Sequence, residues 1–173
     1  MSESQALGSA PPAPIGPRDH VRGKGTDAAN DGAIIYLDLA CPRCAGAWAG
    51  IRELPVRICV RHFPIPSKRP RSSALHAATE AAALQSEEAF WNLWDALLAD
   101  RSRTDDPHLW AYAEHLGLDV ERFEHDRRSE EVAARVREDF LGGIRAGVTA
   151  TPSVFVGGEP LRGELPEALG AAA

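Results

Sequence analysis

The apolar positions change period twice along the chain, and those changes divide it. Ala33, Ile34, Ile35, Tyr36 and Leu37 form an unbroken apolar run. Such a run predicts a central strand, about 33 to 38, buried on both faces. A short Ala-rich stretch carrying Cys41 and Cys44 follows, predicting a helix from Cys41 to about Leu54, where Pro55 stops it. Val56, Ile58 and Val60 then alternate with Arg57, Cys59 and Arg61, which predicts a second strand with one buried and one partly open face. A strand, helix and strand joined by so short a crossover pair in parallel, with a right-handed connection.

From about 72 to 147 the period is helical. Ser72 or Ser73 is placed to cap a first helix carrying Leu75, Ala78 and Ala82. Ser86, Glu87 and Glu88 start a second with Phe90, Leu93, Trp94, Leu97 and Leu98 as its apolar stripe. Asp106 and Pro107 open a third, which Gly117 ends. Asp119 opens a short one with Val120 and Phe123, and Ser129 opens the last, whose apolar row is Val132, Val136, Phe140 and Ile144. Trp91, Trp94 and Trp110 fall at helical spacing and are expected in the core. The period then shortens again: Thr151 to Val156 reads as a strand, Gly157-Gly158 as a hairpin turn, Glu159 to Arg162 as the return strand, and Glu164 to Leu169 as about two turns of helix. Residues 1–30, rich in Ala, Pro, Gly and Ser, read as a flexible leader.

At 173 residues, 44% apolar and 25% charged, the chain suits a single soluble domain. The net charge of −6 and scattered basic residues argue against a nucleic-acid surface. No stretch is long and apolar enough to cross a membrane, and nothing before Gly25 resembles a secretory signal. The expected setting is therefore the cytosol, where cysteine pairs tend to be catalytic or metal-binding.

Cys41-Pro42-Arg43-Cys44 stands where a strand turns into a helix. The unpaired N–H groups and positive dipole end of a helix start favour a thiolate. Pro42 fits the first turn, and Arg43 adds a positive charge. Thiols at i and i+3 share one face and can close a small disulfide. The alternative, half of a structural zinc site, needs a second ligand pair. The one remaining cysteine is Cys59, and no two of the six histidines fall at the required spacing, so the redox reading is preferred and no metal or other cofactor is expected. Cys59 reads as a small apolar strand residue and His62 as a structural strand-end residue.

Four motifs occur in order: Asp38-x-x-Cys41-Pro42-Arg43-Cys44; Arg61-His62-Phe63-Pro64; Leu116-Gly117-Leu118-Asp119-x-x-x-Phe123; and Gly147-Val148-x-x-Thr151-Pro152-x-x-Phe155-x-x-Gly158. Over residues 18–163 this order resembles the DsbA-like branch of the thioredoxin-fold thiol–disulfide oxidoreductases, and in particular the soluble domains of that type fused to some sodium/proton antiporters. The resemblance implies an α/β, thioredoxin-like fold in which 31–66 and 148–173 form the core. An inserted helical subdomain, 67–147, would lie between the second strand and the cis-proline strand. It implies Cys41 as attacking thiolate and Cys44 as resolving thiol, with Pro42, Arg43, Thr151 and Pro152 at the substrate and a cis bond before Pro152. Partners would be protein or small-molecule thiols and disulfides; nothing in the pattern specifies an assembly. A non-enzymatic thioredoxin-fold binding module is the rival. The family usually carries a buried acid six residues before the first cysteine. That position is Ile35 here, so water or Asp38 would have to serve the Cys44 proton.

Overall fold

The computed structural model of the chain describes residues 8, 10–23, 32–163, 165 and 167–172. Among these residues five strands form one mixed sheet, in the order β1 (His20–Arg22), β3 (Ile58–His62), β2 (Ala33–Leu37), β4 (Ser153–Val156) and β5 (Glu159–Pro160). The central strand is β2 (Ala33–Leu37), whose five residues are all buried, as a two-faced apolar run requires. Helix α1 (Pro42–Ile51) leads from β2 to β3 (Ile58–His62), which lies parallel to β2 with Ile35 opposite Val60. On the other side β4 (Ser153–Val156) runs antiparallel to β2, and the Gly157-Gly158 turn returns as the two-residue β5 (Glu159–Pro160). Both turn glycines have positive φ (60° and 84°), the conformation that favours glycine there.

Helices α2 (Ser72–Ala83), α3 (Glu87–Ala99), α4 (Asp106–His115), α5 (Val120–Asp126) and α6 (Glu130–Arg145) lie between β3 and β4 in sequence; α7 (Glu167–Ala172) follows β5. Four of these begin on side-chain caps that accept an N–H three residues on: Ser86 from Ala89, Asp105 from His108, Asp119 from Arg122 and Ser129 from Val132. In α4 the cap is Asp105, one residue before the acid expected. Neither serine caps α2. The Ser72 hydroxyl instead donates to Asp38 at 2.6 Å and accepts the Ile65 N–H at 3.1 Å.

The sheet has two different faces. Ala33, Ile35, Leu37, Ile58, Val60 and Val154 pack with α1, α2 and α3 into the main core, where Trp48, Phe90, Leu93 and Trp94 are buried. Ile34, Tyr36, Cys59, Phe63 and Phe155 make a second cluster with Phe140 and Ile144 of α6. A Cβ on Gly143 would sit 2.7 Å from the Phe63 ring, so the close approach of α6 to the sheet requires that glycine.

Three further expectations are corrected. The face of β3 bearing Cys59 and Arg61 is closed: all five residues are buried, because α6 and the stretch from Pro14 to Asp19 cover it. Arg61 is paired there to Asp19 at 2.9 Å and also donates to the Pro14 carbonyl at 3.2 Å. The leader expected over 1–30 contains a strand, β1 (His20–Arg22), which pairs antiparallel with β3 and buries His20. Its polar composition hides this because its partners are buried charges rather than apolar side chains. Residues 1–7, 9 and 24–31 lie outside the described residues. Finally, Trp110 is 40% exposed, its indole N–H donating to Glu124 on α5 at 2.7 Å. Among the described residues no helix is long and apolar enough to cross a membrane.

Candidate functional site

The turn between β2 and α1 is wound tightly around Asp38. The Cys41 N–H donates to the Asp38 carbonyl at 2.9 Å, and the Cys41 carbonyl accepts the Ala45 N–H at 3.1 Å, opening the helix. Cys41 occupies the N-cap position with extended backbone (φ −87°, ψ 122°), and Pro42 fills the first turn, where no N–H is needed. Cys44 lies one turn inside. From the far end of the chain, the Thr151 carbonyl sits 3.7 Å from Cys41 Sγ, and the Thr151–Pro152 peptide is cis. Cys41, Cys44 and Thr151 are thus together and buried, Pro152 is half-buried beside them, and Pro42 and Arg43 are exposed at the helix start.

The two thiols are unlike. Burial pushes the Cys41 thiol up, but hydrogen bonds from the Cys44 backbone and side chain, Thr151 and the charge of Arg69 outweigh it, leaving Cys41 below the ordinary thiol value. Cys44 is pushed up to about 12, chiefly by burial. The Asp38 N–H donates to Cys44 Sγ at 3.5 Å and opposes that rise only in part.

Asp38 is a fixed anion. Its carboxylate accepts from the Ala40 N–H (3.0 Å), the Ser72 hydroxyl (2.6 Å), the Ile65 N–H (3.2 Å) and Arg69 (3.1 Å). Burial raises its pKa, yet the hydrogen bonds from the Ser72 hydroxyl and the Ala40 N–H outweigh it and bring it down to about 2. Such a carboxylate is a weak base, and its contact with Cys44 runs through the amide, not the carboxylate. The cation that bears on Cys41 and clamps Asp38 is Arg69, from the loop before α2; the motif pointed to Arg43.

A second polar chain, invisible to local spacing, starts at the same turn. The Leu39 N–H donates to His76 Nε2 at 3.1 Å, which fixes that nitrogen as an acceptor. Burial also lowers His76 to about 4, so the ring is neutral at neutral pH with its proton on Nδ1. That proton faces His62 Nδ1 at 2.7 Å, so His62 carries its own on Nε2, 2.6 Å from Glu80 Oε1. His20 lies between two carboxylates, with Nε2 2.9 Å from Glu80 Oε1 and Nδ1 2.9 Å from Glu87. Burial disfavours its charged form, but the two acids outweigh burial and raise its pKa. The register explains the meeting: His20 is opposite Val60, and His62, two residues on, is on the same face.

The sequence family of DSBA-like thioredoxin domains matches residues 61–172, well over half of the chain. A Na(+)/H(+) antiporter NhaA of Salinispora arenicola is 36% identical over 166 residues, covering 92% of this chain and 25% of that protein. The chain therefore spans about a quarter of the length of the curated relatives it matches. Among solved structures, a thioredoxin-like oxidoreductase from Silicibacter pomeroyi superposes with a TM-score of 0.72 at 24% identity, covering 91% of this chain and 93% of that one. MdbA, a thiol-disulfide oxidoreductase from Corynebacterium diphtheriae, gives 0.70 at 18% identity over 88% of each chain. With its sheet order and the helices between β3 and β4, the chain belongs to the family of DSBA-like thioredoxin domains.

Proposed function

We propose that the chain is a thiol–disulfide oxidoreductase in which Cys41 attacks and Cys44 resolves. The observation that carries this reading is the asymmetry of the pair: one thiol at a helix start with a lowered pKa, the other held protonated with a pKa of about 12. The Cys41 thiolate attacks one sulfur of a substrate disulfide, forming a mixed disulfide and expelling the other sulfur as a thiolate. Cys44 then loses its proton and attacks Cys41 Sγ, closing the Cys41–Cys44 disulfide and releasing the second substrate thiolate. Two electrons pass to the substrate; the reverse sequence oxidises a substrate dithiol. Cys41 has no exposed surface, so a substrate reaches its sulfur only when the cover shifts. Exposed Pro42 and Arg43, together with Thr151 and Pro152, are assigned to substrate contact, with the Thr151 backbone meeting an extended chain. The names of the structural neighbours carry the same chemistry.

Substrates on this reading are protein or small-molecule thiols and disulfides. In a reducing cytosol the favoured direction is reduction or isomerisation. Cys41→Ser should abolish insulin-disulfide reduction, by at least about 100-fold, while Cys44→Ser accumulates the mixed disulfide. Full activity of Cys41→Ser would sink the assignment. An ordinary Cys41 titration with sluggish exchange would favour a non-enzymatic binding module.

A further inference from the structure

Away from the dithiol, three donor atoms converge from three elements: His20 Nε2 on β1, His62 Nε2 at the end of β3 and Glu80 Oε1 on α2. All lie within 4.8 Å of one another. The three residues are buried, with exposures of 5%, 1% and 6%. The geometry points to a divalent transition-metal site, of the zinc class, formed by His20, His62 and Glu80 and coupled through His76 to the loop that carries Cys41.

The donor set suits such an ion and few others. Two imidazole nitrogens and one carboxylate oxygen match the three-ligand sites of zinc, whereas calcium and magnesium demand more oxygens. Zinc–ligand bonds of about 2.0–2.1 Å put tetrahedral ligand atoms about 3.3 Å apart. Glu80 Oε1 is already 2.9 Å and 2.6 Å from the two nitrogens. A ring N–H and a ring lone pair share one direction, so the nitrogens that now aim protons at Glu80 would aim lone pairs at the ion. The surroundings hold the rings in place. Phe90 stacks on His20 at 3.6 Å between centroids, and Trp94 lies 5.6 Å from His62. The other nitrogen of His20 faces Glu87, and that of His62 faces His76. Such outer partners orient metal-bound imidazoles.

Proton positions give the coupling. Loading the ion displaces the proton between His20 Nε2 and Glu80, which is released to solvent, while the proton between Nδ1 and Glu87 stays. His62 keeps one proton but moves it from Nε2 to Nδ1, where it meets His76. His76 must then accept at Nδ1 and carry its own proton on Nε2, facing the Leu39 N–H at 3.1 Å and Asp38 at 3.7 Å. Two N–H groups cannot share that contact, so a bound ion presses on the residues just before Cys41.

The test uses the full chain with Cys41→Ser and Cys44→Ser, so that metal binding is read independently of thiol exchange and of the function proposed above. Titration with Co²⁺ should give one equivalent with visible d–d absorption and no thiolate charge-transfer band, displaced by Zn²⁺. His20→Gln should weaken binding at least about 100-fold, and Glu87→Gln, an exposed outer partner, about 10-fold. In unsubstituted chain, one equivalent of Zn²⁺ should change the Cys41 alkylation rate, and His76→Phe should break that link. No Co²⁺ uptake, a thiolate band, or binding to the Glu87→Gln chain as tight as to its parent would overturn the site; the Glu87 variant decides the matter should His20→Gln fail to fold.

Discussion

Two buried acids lie near the two ends of one hydrogen-bonded chain, and they are held in opposite ways. Asp38 is surrounded by donors that do not lose protons at ordinary pH: two amides, a hydroxyl and a guanidinium. Glu80 is held by two imidazoles, whose protons can leave. The first arrangement makes a permanent anion that fixes the turn before Cys41. The second makes an anion whose partners can be exchanged for a cation. Burial alone therefore says little about what a carboxylate does; the chemistry of its donors decides.

The sharpest way to break this contrast is to neutralise each acid isosterically. In Asp38→Asn the new NH2 faces an N–H or O–H donor whichever way the amide turns. We expect a loss of about 3 kcal/mol, against about 1–2 kcal/mol for Glu80→Gln, whose carbonyl oxygen can still accept from both rings. Urea midpoints with unchanged m would measure both, and a reversed order would refute the distinction. Next in size is acid sensitivity. Asp38 has a folded pKa of about 2 against 3.8 for the free group, so its stabilisation is complete above pH 3.8 and disappears as pH falls towards 2. The amount is about 2 kcal/mol, and Asp38→Asn should lack that part of the acid limb. The smallest effect concerns Arg69. Because its charge lowers Cys41, Arg69→Met should move the alkylation profile of Cys41 to higher pH, slowing reaction near neutrality roughly two- to fivefold. An unmoved profile would leave Arg69 as a clamp on Asp38 alone.

The parts of the molecule legible in the sequence are those set by neighbours along the chain. The apolar run of β2, the caps at Ser86, Asp119 and Ser129, the glycine hairpin after β4 and the placement of Cys41 before Pro42 each follow from a window of a few residues. What was hidden depends on partners far apart. Arg69 reaches Asp38 across 31 residues and His20 reaches Glu80 across 60, so neither pair leaves a local spacing. Histidine spacing is silent on the meeting of His20 and His62 for the same reason: they come together through strand register. The covered face of β3 is hidden because its cover, α6 and the stretch from Pro14 to Asp19, comes from distant parts of the chain, and the exposure of Trp110 is hidden because helical spacing does not say which side of a helix faces water.

β1 has only three residues, yet it works as a clasp. His20 lies flat against Phe90, and the Arg22 guanidinium lies over both the Trp48 and Trp91 rings, 4.8 Å from each centroid, while also pairing with Asp95 at 3.0 Å. A shortened version of the chain starting at β2 would not be a trimmed protein. It would bare one phenyl and two indole faces along a single seam, beside the helix that carries both cysteines, and would be prone to stick to its own copies.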